Sequence, residues 1–332
     1  MEGVDLEIFA REYRRGDEYG IVDLFRISSD HLRTKNFLKW ANIKTPFSKS
    51  ISLVLQDSNE DIIGHYAVMI FRLSYKDEIF NVGFGSQLVI HPKFRNFKFM
   101  WHLLNSVWNS SKEKGLSFLY AFPNSNIWPV KNRLMGWELI KEFQTLEFDI
   151  SGEDVISGND SELKFQRICA LTKYKELINN IWDVSKGMYK DLIHIERNYD
   201  FVRWRFFLHP LEHYPFYLVK DSSGNILGWI AFKFYRKNGV LYGHIMDFVM
   251  SERNHERDLI KKAVKWFADR GADVVSVWGN RFTRASYEEF GFKEKGFLTN
   301  FGIKMMDNNT EGQKDAKNFN RWDLAMSYSD AF

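Results

Sequence analysis

The chain has 332 residues, of which 45% are hydrophobic and 27% charged, a balance typical of one large globular domain or two ordinary ones. A net charge of +3 is too small to argue for nucleic acid or an anionic membrane, and no apolar run approaches the ~18 residues of a membrane span. The one cysteine, Cys169, excludes an internal disulfide. With an N-terminus too charged for a signal peptide, this predicts a cytoplasmic protein.

The first half alternates strand and helix patterns. Strands are predicted, in chain order, at residues 6–14, 51–56, 62–75, 80–90 and 116–122. Helical spacing of apolar residues is found at 17–25, at 97–115 and in a short stretch before Gly136. Because two strands that flank one helix form a βαβ unit, part of the sheet should be parallel. Cys169 lies in a strand-like stretch, which predicts a buried thiol.

The second half repeats the first. The stretch that begins at Phe37 aligns without a gap with the stretch that begins at Phe201, an offset of 164 (201 − 37) that also matches Trp40 to Trp204. Shorter loops then reduce the offset to 158 and later to 155, where Gly136 matches Gly291. Matches that stay in order favour two copies of one fold over chance similarity. We therefore predict domains at 1–150 and 163–332, joined by a polar linker at 151–162.

Four segments resemble the GNAT fold of acetyl-CoA-dependent N-acetyltransferases: REYRRGDEYGIVDLF, VIHPKFRNFKF, AFPNSNIWPVKNRLMGW and WGNRFTRASYEEFGF. The resemblance implies an α/β (α+β) class with two tandem GNAT-like domains, each a mixed twisted sheet flanked by helices. Pro92 and Arg95 agree with the family's cofactor motif, whereas Lys98 and Met100 stand where the family has glycine. The doubled layout and the ending NRWDLAMSYSDAF resemble bacterial enzymes that acetylate dTDP-linked 3-amino-3,6-dideoxyhexoses.

Charge distinguishes the two cofactor turns. The first turn carries three cations and no acid: Lys93, Arg95 and Lys98. The matching turn of the second half carries three acids: Glu252, Glu256 and Asp258. A carboxylate near a phosphate costs on the order of a few kcal/mol at a protein surface. We therefore expect the first half to bind acetyl-CoA and the second half to play a supporting role.

The resemblance also implies which residues contact the cofactor. They lie at the strand end, in the turn and first helical turn, and after the next strand: Leu88, Val89, Ile90, Arg95, Asn96, Phe97, Lys98, Phe99, Met100 and Asn124. Gln87 and His91 share one face of the predicted strand, and an imidazole is a side chain suited to accept a proton, so both are candidate catalytic residues. The alternative for His91 is packing beside Pro92. The family's usual acid, a tyrosine, is matched by Tyr287 in the second half, which we interpret as packing, and by Asn132 in the first.

The acceptor should lie between the halves, where the repeated segments FLKWANIKTP and FVRWRFFLHP meet. Candidate substrate contacts are Trp40, Arg203, Trp204 and Arg205, with core packing or surface ion pairs as alternatives. His209 and His213 have metal-like spacing, but Pro210 between them leaves no helical turn, so no metal site is expected.

The leading hypothesis is transfer of an acetyl group from acetyl-CoA to the amino group of a nucleotide-linked amino sugar, in the synthesis of a bacterial surface polysaccharide. An alternative is an aminoacyl or peptidyl transferase of the same doubled architecture. A further alternative is an inactive double domain that binds a ligand. Neither a nucleic-acid partner nor a membrane is expected, and the protein should be a monomer or a homodimer.

Overall fold

The computed structural model describes residues 7–29, 33–150, 162–280, 283–306 and 310–329. Its first half contains β1 (Ile8–Glu12), α1 (Asp17–Ser28), α2 (Lys35–Asn42), β2 (Ser48–Asp57), β3 (Ile62–Tyr75), β4 (Glu78–Ile90), α3 (Phe97–Glu113), β5 (Phe118–Ala121), α4 (Trp128–Met135) and β6 (Glu138–Asp149). The predicted linker at 151–162 lies outside the described residues, except for Glu162. Each predicted strand and helix of the first half is confirmed.

The second half follows the same succession. It contains β7 (Lys164–Arg167), α5 (Lys175–Ser185), β8 (His194–Ile195), α6 (Tyr199–Val202), β9 (Phe216–Lys220), β10 (Ile226–Lys237), β11 (Val240–Met250), α7 (Glu256–Ala268), β12 (Val274–Val277), α8 (Arg284–Phe290), β13 (Lys293–Met305) and α9 (Glu311–Asp315). A π-helical turn, Arg203–Phe207, continues α6. The mixed α/β class with helices flanking a twisted sheet is confirmed, as is parallel pairing on either side of the α3 and α7 crossovers.

The two halves share one sheet because they exchange their last strands. Along the sheet the order is β1-β2-β3-β4-β5-β13-β6-β12-β11-β10-β9-β7, and β8 pairs with β3. Strand β13 of the second half pairs with β5 of the first, and β6 of the first half pairs with β12 of the second. Each copy of the fold is thus completed by a strand of the other.

Trp40 of α2 and Trp204 of the π-helical turn meet where the halves join. Their rings stack with centroids 4.4 Å apart and planes 3° from parallel. Each indole donates to the main-chain oxygen of the other: Trp40 Nε1 to Trp204 O at 2.9 Å, and Trp204 Nε1 to Trp40 O at 3.2 Å. Both residues are 3% exposed. Our prediction that these rings contact a substrate is therefore wrong, because they pack against each other.

Arg205 is also placed in the interior rather than at a ligand. It is 1% exposed, and its guanidinium donates to the oxygens of Ser327, Ser329 and the Tyr214 hydroxyl at 3.0, 3.1 and 2.6 Å. These bonds hold the C-terminal segment, residues 316–329, against the π-helical turn. The prediction that Arg205 contacts a diphosphate is therefore wrong. Arg203 is exposed, and its role stays a prediction.

The prediction that Cys169 is buried is wrong. Strand β7 ends at Arg167, and the chain turns there so that Ile168 enters the core while the Cys169 thiol is exposed. The strand-like composition of this stretch overestimated the length of β7.

We expect Trp40→Phe and Trp204→Phe each to lower the free energy of unfolding by about 2 kcal/mol, because each leaves the other residue's buried carbonyl without its donor and loses ring contact. Urea denaturation followed by circular dichroism measures the change. Trp101→Phe is the control, since Trp101 is 41% exposed on α3. Equal stabilities for the buried and control variants would contradict the role given to the pair.

Candidate functional site

Strand β4 carries a β-bulge in its second half. Between His65 and Ala67 the register with β3 shifts, so that both Gln87 and Leu88 lie opposite Tyr66. Gln87 has φ 59°, a left-handed conformation that costs a residue other than glycine of order 1 kcal/mol or more. A bulge bends its strand and redirects the residues that follow.

Just before the bulge, β4 separates from β5. Their parallel pairing contains Gly83 with Leu119 and Phe84 with Tyr120, and ends there, while β4 continues to Ile90. Residues 85–90 therefore present a strand edge towards β5 that no strand of the described residues pairs. Such an edge offers backbone donors and acceptors to an extended ligand. Three of the predicted cofactor contacts lie on it: Leu88, Val89 and Ile90.

The open edge leads into the N-terminus of α3. Asn96 caps this helix by accepting a hydrogen bond from the Phe99 N–H at 3.0 Å, and the N–H groups of Phe97 and Lys98 have no partner within the helix. Lys98 is exposed. Arg95 donates to Ile90 O at 3.1 Å and to Ser28 O at 2.6 Å, so it holds the turn against α1. The structure thus brings the predicted contacts 88–90 and 95–100 together at one end of β4.

Asn124 lies at the same edge of the sheet, just after β5 ends. Its Oδ1 accepts from the N–H groups of Asn126 and Ile127 at 3.1 and 3.2 Å, which starts the turn into α4. Within α4, Asn132 donates to Trp137 O at 2.9 Å. Tyr287, the matching residue of the second half, is 1% exposed, and burial raises the pKa of its hydroxyl.

The contacts of His91 argue against a role as a catalytic base. Its Nδ1 accepts a hydrogen bond from the Lys93 N–H at 3.2 Å, which caps the 3-10 turn Pro92–Phe94. Because that lone pair is engaged, the neutral ring carries its proton on Nε2 and has no acceptor left. The ring packs against Phe94, with centroids 5.4 Å apart. His91 is therefore corrected to a structural cap.

A polar cluster that sequence reasoning missed surrounds Gln87. It consists of Asn42 at the end of α2, His65 on β3 and Gln87 itself, which are 1%, 0% and 6% exposed. Gln87 Nε2 lies 3.4 Å from Asn42 Oδ1, and His65 Nδ1 donates to Leu53 O at 3.1 Å. Burial lowers the pKa of His65 to about 4, so its ring is neutral at pH 7.

Three atoms of this cluster have no hydrogen-bond partner of good geometry among the described residues: Asn42 Nδ2, His65 Nε2 and Gln87 Oε1. Buried polar atoms are nearly always bonded, and an orphan costs about 1–3 kcal/mol. Two of these atoms accept and one donates, so the cluster is suited to a polar group with N–H or O–H donors. A histidine inside the apolar strand IIGHYAVM was the one sequence signal that could have found it.

The second half has a similar opening with different chemistry. Strand β11 bulges at Met246 and pairs with β12 only from Tyr242 to His244. A cavity of about 590 Å³, measured with its open mouth, lies here. Its wall includes Glu252, which follows β11, and Glu256, the first residue of α7. Burial and the nearby Asp323 raise the pKa of Glu256.

A buried ion triad forms part of the wall of this cavity. Arg197 binds Asp247 of β11 at 3.0 Å and Asp323 of the C-terminal segment at 2.6 Å. All three side chains are buried. Burial opposes the charge of Arg197, but the two carboxylates hold its pKa well above the usual value. The chain itself therefore supplies the ionic partners in the second opening, whereas the first has exposed cations.

Comparison with known proteins agrees with this architecture. No family model and no curated protein matches the sequence. Among solved structures, a GCN5-related N-acetyltransferase from Anabaena variabilis superposes with a TM-score of 0.67 and 11% identity, over 90% of this chain and 73% of that one. A GCN5-related N-acetyltransferase from Kribbella flavida gives 0.65 and 14%, over 92% and 73%.

N-myristoyltransferase of Saccharomyces cerevisiae with bound myristoyl-CoA gives a TM-score of 0.59 and 9% identity, over 89% of this chain and 82% of that one. The chain thus shares the fold of GCN5-related N-acetyltransferases and N-myristoyltransferase. Within the described residues, no helix is both long and apolar enough to cross a membrane. In the same ranges, no group of three His, Cys, Asp or Glu side chains could hold a metal ion.

The strain at Gln87 can be measured. We expect Gln87→Gly to be more stable than Gln87→Ala by about 1 kcal/mol, because glycine adopts φ 59° without a penalty. Both variants lack the same side chain, so the difference isolates the backbone. The same pair of substitutions at Ser86, the preceding residue of β4, should give the reverse order. If alanine is preferred at both positions, the bulge geometry is wrong.

Proposed function

We propose that the protein is an acyl-CoA-dependent N-acyltransferase whose first half binds the acyl-CoA. One observation carries the proposal: β4 bulges at Gln87 and Leu88, separates from β5 after Phe84, and leads its open edge into the cationic N-terminus of α3. The fold shared with N-acetyltransferases supports the same reading.

This geometry fits the chemistry of an acyl-CoA. The pantetheine arm carries two amides, which can pair with an open strand edge as another strand would. The diphosphate fits a helix N-terminus flanked by Lys93 and Lys98, because free N–H groups and two cations favour negative charge. Backbone N–H groups at the bulge could stabilise negative charge on the thioester oxygen during attack.

The charges beside the two openings support the first half, rather than the second, as the binding site of the acyl-CoA diphosphate. Lys98 lies in the first turn of α3, and the residue 158 positions later, by the offset of this part of the repeat, is Glu256 in the first turn of α7. Glu252 adds a second carboxylate to the same cavity. A diphosphate would meet repulsion there.

The polar cluster supports an amine as the acceptor. It lies beneath α1 and α2, on the face of the sheet opposite α3. His65 Nε2 and Gln87 Oε1 can accept the two N–H bonds of a neutral primary amine, which leaves the nitrogen lone pair for attack on a carbonyl carbon. No sequence motif identifies the acceptor, and the resemblance favours an acetyl group and a nucleotide-linked amino sugar.

Thermal melts with excess acetyl-CoA test the proposal. A ligand at ~100 times its dissociation constant adds about 2.7 kcal/mol to the free energy of unfolding. We expect Lys98→Glu to weaken binding about tenfold, because it reverses a charge beside the diphosphate. Lys114→Glu, at the other end of α3, makes the same change in net charge and should leave binding unaffected.

The outcomes separate the possibilities. Stabilisation by acetyl-CoA that Lys98→Glu reduces and Lys114→Glu preserves supports the first-half site. Propionyl-CoA and myristoyl-CoA, tested in parallel, identify the preferred acyl group. Release of free thiol with amino-sugar nucleotides then tests the acceptor. Absence of stabilisation by any of these thioesters overturns the proposal and leaves a binding module with another ligand.

A further inference from the structure

Lys131 of α4 is buried without a counterion. It is 3% exposed, its Nζ lies 3.1 Å from the hydroxyl oxygen of Tyr66, and it lies 4.0 Å from the centre of the Trp137 ring. Among the described residues no carboxylate forms an ion pair with it. A lysine is almost never fully buried unless it is paired with an acid. Lys131 is therefore a candidate functional residue.

The pair lies where β4 and β5 separate. Gly85 is the first residue of β4 after the last pair with β5, and an added Cβ there would collide with the Tyr66 hydroxyl and come within 3.6 Å of Lys131 Nζ. Glycine is therefore required for the pair to lie against the strand. Tyr66 itself is the β3 residue opposite the bulge. The two side chains thus face the start of the open edge from the α3 side.

A small cavity adjoins the pair between α3, α4 and the sheet. Tyr66 lines it, and Lys131 contacts Tyr66 and Trp137 of its wall. The remaining lining is mostly apolar: Leu104, Val107, Trp108, Leu119, Met135, Trp137 and Lys304. Tyr66, which is bonded to the amine, therefore borders the cavity.

Among the described residues, the charge that acts on Lys131 is the positive charge of Lys304. The titratable groups that face it are Tyr66 on β3 and Lys304 on β13, while Lys112 on α3 faces Lys304. Burial, and then the charge of Lys304, lower the pKa of Lys131 to about 7. Burial raises the pKa of Tyr66, so its hydroxyl keeps its proton. At neutral pH the Lys131 side chain is present as both ammonium and amine, while the Tyr66 hydroxyl stays protonated.

We propose that Tyr66 and Lys131 form a proton relay to the sulfur that leaves during acyl transfer, an inference that rests on the proposed function. The acceptor nitrogen forms a bond to the acyl carbon, and the C–S bond breaks with its electron pair on sulfur. Sulfur takes the proton of the Tyr66 hydroxyl, and Tyr66 takes one from the Lys131 ammonium. The nitrogen releases one proton to solvent, from which Lys131 regains its own, so the reaction balances.

The direction of transfer is favourable. An alkyl thiol has a pKa of about 8.5, above that of Lys131, so an ammonium at this site gives its proton readily to a thiolate. The charge of Lys304 contributes because it lowers the pKa of the Lys131 ammonium. In this relay the Tyr66 hydroxyl passes the proton from the Lys131 ammonium to the sulfur. The hydroxyl is neutral before and after the transfer.

Lys131→Met and Tyr66→Phe test the relay. Both keep the size of the side chain, and both should still be stabilised by acetyl-CoA. We expect each to lower kcat about a hundredfold. In the wild type kcat should fall as the pH rises above about 7, because the ammonium loses its proton, and Lys131→Met should lack this decrease. Lys304→Met should shift the decrease to higher pH without abolishing it.

A measurement without turnover checks the titration itself. The folded pKa of Lys131 lies below the unfolded one, so the unfolded chain binds more protons and wild-type stability should rise with pH between about 7 and 10.5, relative to Lys131→Met. Acetyl-CoA binding with unchanged kcat and pH profile in both variants would overturn the relay alone. Absence of acyl-CoA binding in the wild type would instead overturn the function on which it rests.

Discussion

The contact between Trp40 and Trp204 is the interaction on which the two-fold arrangement depends. Two residues related by the internal repeat can bond reciprocally only if a local two-fold axis passes between them. The stacked rings and paired Nε1–O bonds satisfy that condition. Beside this axis the halves exchange β6 and β13, so the sheet continues from one copy into the other. The positions of α2 and of the π-helical turn follow from the same contact.

In both halves two parallel strands separate and a bulge follows the point of separation, but the two openings differ in chemistry. In the first half the open edge of β4 leads to the capped N-terminus of α3, where Lys98 is exposed. In the second half the carboxylates of Glu252 and Glu256 occupy the corresponding place, with the triad around Arg197 beside them. The two halves thus have similar openings whose charges differ.

Two groups of buried polar side chains flank β4 on opposite faces. His65 and Gln87 lie under α1 and α2 and have neutral acceptor atoms, while Tyr66 lies on the α3 side, where Lys131 of α4 donates to its hydroxyl. Adjacent residues of β3, His65 and Tyr66, point to the two faces because a strand alternates its side chains. In the proposed acyl transfer, the first group would bind the attacking nitrogen and the second would protonate the departing sulfur.

Sequence alone determined the repeat, the order of strands and helices, and the cationic turn near Lys98, because each is a local pattern. It assigned Trp40 and Arg205 to a ligand and His91 to catalysis. The sequence alone does not distinguish a tryptophan, arginine or histidine that packs in the core from one that binds a ligand or takes part in catalysis. The partners of Trp40 and Arg205, namely Trp204 and the Ser327 carbonyl, are distant along the chain, whereas His91 is held by the nearby Lys93 N–H. Only the tertiary structure brought His65 to Gln87 and Tyr66 to Lys131, because burial and hydrogen bonding depend on packing between elements.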